Sequence, residues 1–293
     1  MSRAQDVWRL VAGRITRGPA GLVREPGSAA PVDCWTLSQV IHAAALVSPG
    51  EVQKLFRGAR AYRRRHGYVE YPGRGKRYYD DNAAMALASL QHYQITRDLR
   101  SLSRAQWIER FLRTGLVDGG CRWLEGGEAV KACATGTVGL VEAGLGRDAS
   151  SHLRALADMR RGDGVVSDGR CAEGPPGTAA CASNQGLLIA LAHRCGAKRL
   201  LADAVDAGAA YFTAERLWEQ PVACNAVYAR GLAGAGAPLQ RIATYADAIW
   251  EMRRDERGWF TGPARCDDGR ILSAAAAAQI FRMLEGIDAA LIR

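Results

Sequence analysis

Apolar residues recur along this chain with a period near 3.6, interrupted by Gly, Pro and small polar residues, a pattern that predicts helices. It marks them at 3–16, 35–47, 50–65, 81–96, 101–114, 131–145, 148–161, 183–195, 197–214, 222–234, 238–254 and 273–291, and no stretch alternates convincingly as a strand. The links between these twelve helices fall into two classes. Those leaving the even-numbered helices are short: Ser48-Pro49, Arg97 to Arg100, Gly146-Arg147, Gly196, and Ala235 to Ala237. Those leaving the odd-numbered ones, 17–34, 66–80, 115–130, 162–182 and 255–272, are long, with only 215–221 short. Short links force antiparallel neighbours, so the long loops all emerge at one end.

The even helices begin near Trp35, Asp81, Lys131, Ser183, Val222 and Ser273. A recurrence of roughly forty to fifty residues predicts six stacked αα-hairpins. Closed into a ring they make an (α/α)6 toroid, expected as a single domain over 1–293. The small-residue helices, such as Ala83-Ala84-Met85-Ala86-Leu87-Ala88, would line its inside, with their N-termini converging under the long loops. An open α-solenoid uses the same hairpins without needing the long loops on one face.

Candidate chemistry collects in those loops. Tyr78-Tyr79-Asp80-Asp81-Asn82 runs directly into a helix. One Asp suffices to cap a helix, whereas a second beside it adds repulsion that raises one pKa, the usual way to make an acid and an anionic nucleophile from one residue type. Tyr68 and Tyr71 stand in the same loop as this pair, and the other loops and helix starts bring Trp35, Trp123, Glu125, Glu128, Lys131, Asp168, Glu173, Asn184, Gln185, Trp259 and Phe260. Flat rings beside carboxylates and amides suit a sugar polymer. Core anchoring explains Trp123 and Trp259 equally well, helix capping Asn184, and turn formation Asp168-Gly169. Asp267-Asp268-Gly269 reads as a turn.

Composition adds little. Apolar residues make up 48% of the chain, as in ordinary globular proteins. The net charge of +9 is almost all arginine, because Lys54, Lys76, Lys131 and Lys198 are the only lysines. A codon bias explains this, and so does attraction to an anionic partner such as a phosphorylated glycan or lipid headgroup. The arginines are scattered rather than striped, which argues against nucleic acid, and the run Arg60 to Arg65 reads as the solvated end of a helix. Eight cysteines show no metal-ligand spacing and read mostly as small buried hydrophobes. No loop has calcium-ligand spacing, so neither metal nor cofactor is expected. The N-terminus lacks a signal-peptide pattern and no long apolar run appears, so a cytoplasmic protein without a membrane span is expected, or a secreted one if a leader has been trimmed; a monomer is expected in either case.

Tyr78-Tyr79-Asp80-Asp81-Asn82-Ala83 resembles the signature of glycoside hydrolase family 76, the endo-α-1,6-mannanases. Tyr93-Gln94-Ile95-Thr96-Arg97-Asp98 is similar to the family's Tyr-x-x-Thr-Gly-Asp, and Gly119-Gly120-Cys121-Arg122-Trp123 to its Gly-Gly-x-x-Trp. Lys131, Asp168-Gly169 and Ser183-Asn184-Gln185-Gly186 continue the likeness in order, over roughly residues 35 to 285. The resemblance implies an (α/α)6 barrel and a retaining glycosidase acting on α-1,6-linked mannose. Asp80 would be the nucleophile and Asp81 the acid and base. Trp35, Tyr78, Tyr79, Trp123, Lys131, Asp168, Asn184, Gln185 and Trp259 would contact substrate. Ala84-Met85 stands where the family has paired Trp residues, Cys181-Ala182-Ser183 where it has Trp-x-Tyr, and Gly136 where it has Asn. Fewer stacking rings leave room for other readings: a glycan-binding protein on the same barrel, or a transglycosylase using a lipid-linked or phosphorylated mannoside.

Overall fold

A computed structural model describes residues 2–15, 21–118, 120–170, 180–260 and 270–286. Six of its helices are buried nearly all round: α2 (Cys34–Val47), α4 (Tyr79–Thr96), α6 (Ala132–Gly144), α8 (Ala182–Arg194), α11 (Val222–Ala235) and α13 (Arg270–Leu284). A helix that is apolar on every side must be covered on every side. These six pack each against the next, and α13 returns to α2. Gln279 Nε2 of α13 donates to the Gln39 carbonyl of α2 at 3.0 Å across the closure. The ring is therefore closed, an (α/α)6 toroid rather than an open solenoid.

The outer layer consists of α1 (Arg3–Ala12), α3 (Val52–Gly58), α5 (Leu99–Leu112), α7 (Ser150–Asp158), α9 (Lys198–Tyr211) and α12 (Gln240–Met252), joined by the short α10 (Ala214–Glu219). Outer helices bury one stripe only; α9 buries just Ala204 and Gly208. Small residues set the inner spacing. A Cβ added at Gly231 of α11 would lie 2.2 Å from the Gly186 carbonyl oxygen of α8, so these two helices meet backbone to backbone.

Several expectations change. The segment expected as one helix over 50–65 is a 3₁₀ turn, α3, a second 3₁₀ turn over Ala59–Tyr62, and then strand β1 (Arg63–Arg64). The Arg60 to Arg65 run is thus not a helix end. Its chain reverses at Arg65, which has a φ of 52°, and β1 pairs antiparallel with β2 (Gly67–Tyr68). Two more ladders, β3 (Leu116–Val117) with β4 (Gly120–Cys121) and β5 (Val130–Lys131) with β6 (Gly169–Arg170), order the long loops. Rungs of two residues are too short to show alternation, which is why no strand is visible in the sequence. The region expected as helix 197–214 ends at Tyr211 and is followed by the separate α10. Asp267-Asp268, Glu173 and the end of the helix expected to reach 291 lie outside the described residues.

Candidate active site

The N-terminal turns of the inner helices converge on a cleft of about 440 Å³. Asp33 and Trp35 enter from α2 and its cap, Asp80 and Asp81 from α4, Cys133 and Thr137 from α6, Ser183 and Leu187 from α8, and Val227 from α11. The loop before α4 adds Glu70, Tyr71 and Tyr78, and the loop before β5 adds Trp123. Four carboxylates therefore face one space in a chain of net charge +9.

Asp80 and Asp81 have unlike surroundings. Asp80 Oδ2 accepts the Trp123 indole N–H at 3.0 Å, and Oδ1 accepts the Asp81 backbone N–H at 3.1 Å. The Cys133 thiol donates to the same carboxylate. Burial raises the Asp80 pKa, and these donors oppose the rise by stabilising the ionised form. Among the described residues the Asp81 carboxyl accepts no such bond. Burial pushes its pKa well above the usual carboxylate range, and the charges of Asp80, Asp33 and Glu70 add to the rise. Both carboxyl pKa values are thus raised, that of Asp81 further, which divides the pair into one group that ionises more readily and a neighbour held toward protonation. Capping does not account for Asp81, because the helix begins at Tyr79 with no side-chain cap.

The dyad's frame is built by backbone pairing. Tyr79 N donates to the Trp123 carbonyl at 2.9 Å, and Glu125 N to the Arg77 carbonyl at 3.0 Å. Arg77, buried, also pairs with Glu125 and stacks on Phe111. Trp123, 38% exposed, packs against Tyr78 with ring centroids 5.0 Å apart. The loop carrying the indole is thereby held in register with the start of α4.

No protein-family model and no curated protein matches the sequence. Solved structures do match in shape. A family 76 glycoside hydrolase (mannosidase), Bt3792 of Bacteroides thetaiotaomicron, superposes with a TM-score of 0.80 at 17% identity, covering 96% of each chain. An α-1,6-mannanase of Salegentibacter sp. HEL1_6 superposes with a TM-score of 0.75 at 12% identity, covering 99% of this chain and 98% of that one. That structure is an inactive variant, with Asn in place of two consecutive Asp residues, in complex with α-1,6-mannotriose. Dfg5 of Chaetomium thermophilum in complex with glucosamine reaches 0.72 at 14% identity, covering 97% of this chain and 90% of that one. The chain has the fold of the family 76 glycoside hydrolases.

Within that family 76 fold the other expected site residues divide. Trp35, Tyr78 and Trp123 line the cleft. Lys131 Nζ binds Asp168 Oδ2 at 2.8 Å, where β5 meets β6, beside the cleft wall at Cys133. Tyr79 instead stacks on Phe111 at 4.6 Å and is 2% exposed. Adjacent helical residues diverge by about 100°, so α4 cannot present both Tyr79 and the dyad to the cleft. Asn184 and Gln185 are also core residues. Asn184 Nδ2 donates to the Ser167 carbonyl at 3.3 Å, while Gln185 accepts from Val166 N at 3.0 Å and donates to the Ala204 carbonyl at 2.6 Å. Both amides hold Val166 and Ser167 against the ring. Trp259 packs in the core.

Asp33, Glu70, Cys133 and Thr137 escape a reading by sequence. Asp33 is an N-cap, accepting Thr36 N at 2.8 Å, and only the convergence of helix starts reveals its other face. Cys133, expected as a buried hydrophobe, lies one helical residue past Ala132 and touches the dyad. Cys181 Sγ lies 3.3 Å from Cys224 Sγ beside the same wall, and Cys171 lies outside the described residues. Ala84 and Met85 are core residues, 3% and 0% exposed, and neither lines the described cleft.

Proposed function

We propose that the cleft cleaves α-1,6-linked mannosides with retention of configuration. The carrying observation is the division of Asp80 and Asp81 into a donor-rich and a donor-poor carboxyl. Asp80, ionised, attacks the anomeric carbon while protonated Asp81 gives its proton to the departing glycosidic oxygen. The product of this step is a glycosyl ester on Asp80. Asp81, now a carboxylate, takes a proton from water as that water attacks the same carbon and Asp80 departs. Trp35, Tyr78 and Trp123 supply faces for sugar rings. The inactive, doubly Asn-substituted mannanase of the same fold supports the pairing of roles.

A second reading concerns the acceptor. Asp33 and Glu70 add negative charge beside the dyad, which favours a cationic amino sugar as acceptor in place of water. The structural likeness to Dfg5 bound to glucosamine supports it.

Product analysis with α-1,6-mannooligosaccharides, following the anomer formed with and without added glucosamine, tests both readings. Retention is expected, with loss of about 10³-fold or more in Asp80→Asn and Asp81→Asn. Inversion, or full activity in either variant, would remove the mechanism. Absence of any transfer product would remove the second reading alone.

A further inference from the structure

The ring is hollow at both ends. Behind the cleft, at the ends where the inner helices finish, lies a second cavity of about 80 Å³. Leu187 and Val227 line both spaces and form the partition between them. A water needs roughly 10–15 Å³ of such volume, so the rear cavity has room for a group of several heavy atoms.

Its polar lining is basic. Arg230 of α11, Arg194 and His193 of α8 and His42 of α2 face it, with Gln91 and Gln94 of α4, and among the described residues no carboxylate lines it. Among the described residues the one hydrogen-bond partner of Arg230 is the neutral amide of Gln279, at 3.1 Å. Burial lowers the Arg230 pKa to about 10 and lowers that of Arg194, and among the described residues no anion offsets it at either. His42 Nδ1 lies 2.9 Å from Gln91 Oε1, and its Nε2 closes no hydrogen bond of ordinary geometry among the described residues. The Ala84 carbonyl favours the protonated ring only weakly. Burial and the charge of Arg230 hold the His42 pKa well below its usual value.

Cations set without anions in a low-dielectric space are costly, and they persist where something compensates them. Helix dipoles account for part of this. Arg194 sits in the last turn of α8, and its guanidinium approaches Gly144 at the end of α6. They do not account for Arg230, more than a turn inside α11, where the dipole's influence has faded.

We propose that the rear cavity binds a compact tetrahedral oxyanion of the phosphate class, gripped by the guanidinium groups of Arg230 and Arg194 and touched by His42. Two guanidinium forks match the charge and the diverging oxygens of a phosphoryl group. The site is separate from the cleft and stands whether or not the chain is a mannosidase.

Calorimetric titration of inorganic phosphate into the full chain, in an oxyanion-free buffer, tests this, with glycerol 3-phosphate as a second arm. One saturable site is expected, weakened at least about tenfold in Arg230→Met and in Arg194→Met, with circular dichroism reporting the fold. Arg194, partly exposed at the end of α8, gives a second variant should Arg230→Met fail to fold. Binding of phosphate alone would assign the site to the free ion, and binding of both ligands to a phosphoryl group on a larger molecule. No saturable binding by the unaltered chain, or equal affinity in a folded variant, would overturn the proposal.

Discussion

Trp123 and Asp80, 43 residues apart, are joined by an indole N–H donated to a carboxylate oxygen at 3.0 Å. The bond crosses from one long loop to the start of α4 and ties a ring of the cleft to the proposed nucleophile.

Trp123→Phe keeps a ring against Tyr78 and removes that donor. A hydrogen bond to a charged group contributes about 1.5–3 kcal/mol, so kcat/KM on α-1,6-mannosides should fall by roughly 10- to 100-fold. Losing a donor to the ionised form raises the Asp80 pKa, and the acid limb of the pH–rate profile should move to higher pH. A drop in rate with an unmoved acid limb would show that the ring matters only for sugar contact.

Asp81 holds its proton more tightly in the folded chain than in the unfolded one, because burial and three neighbouring carboxylates oppose its charge. Such a group binds more protons when folded, so it costs stability as pH rises above the unfolded pKa and costs none well below it. Asp81→Asn should therefore melt a few degrees above the unaltered chain at pH 7 and match it near pH 3, while losing activity. Thermal melts across pH check this, and a variant less stable at pH 7 would contradict it.

Asn82 is fully buried and works as a strand rung. Its Oδ1 accepts Tyr68 N at 2.7 Å, and its Nδ2 donates to the Tyr68 and Tyr78 carbonyls at 3.0 and 2.7 Å. Asn82→Ala orphans the buried N–H and carbonyl of Tyr68, at a cost of about 3 kcal/mol, while the Tyr78 carbonyl keeps the backbone N–H of residue 82. Urea unfolding should show a lower midpoint at unchanged slope.

Arg97 ends α4 in the left-handed region at φ 60°, at the position where the family 76 motif places Gly. A non-Gly residue there costs roughly 1–2 kcal/mol, partly offset by the freedom Gly gains when unfolded. Arg97→Gly should stabilise the chain by about 0.5–1 kcal/mol in the same urea experiment, with activity unaltered.

Helix positions and the alternation of short and long links were legible in the chain because they are local: a 3.6 period and turn residues repeat within a few positions. The one-sided set of loops, the hairpin count and the acidic pair followed from them. Which face each residue turns is a matter of helix phase, and a neighbour decides it. Phe111 takes Tyr79 away from the cleft, and the backbone of Ser167, Val166 and Ala204 takes the amides of Asn184 and Gln185. Residue types therefore told where polar groups were available, not which remained available.

By itself the sequence determined the six-hairpin repeat and placed Asp80 and Asp81 at a helix start, since both depend on residues close along the chain. Only the tertiary structure decided that α13 meets α2 and that Asp33, Glu70 and Cys133 join the dyad. It alone set Arg194 and Arg230 around one rear cavity. The physical reason is common to all three. Ring closure brings together helix ends separated by tens to hundreds of residues, and burial and charge act through space, where distance along the chain has no bearing.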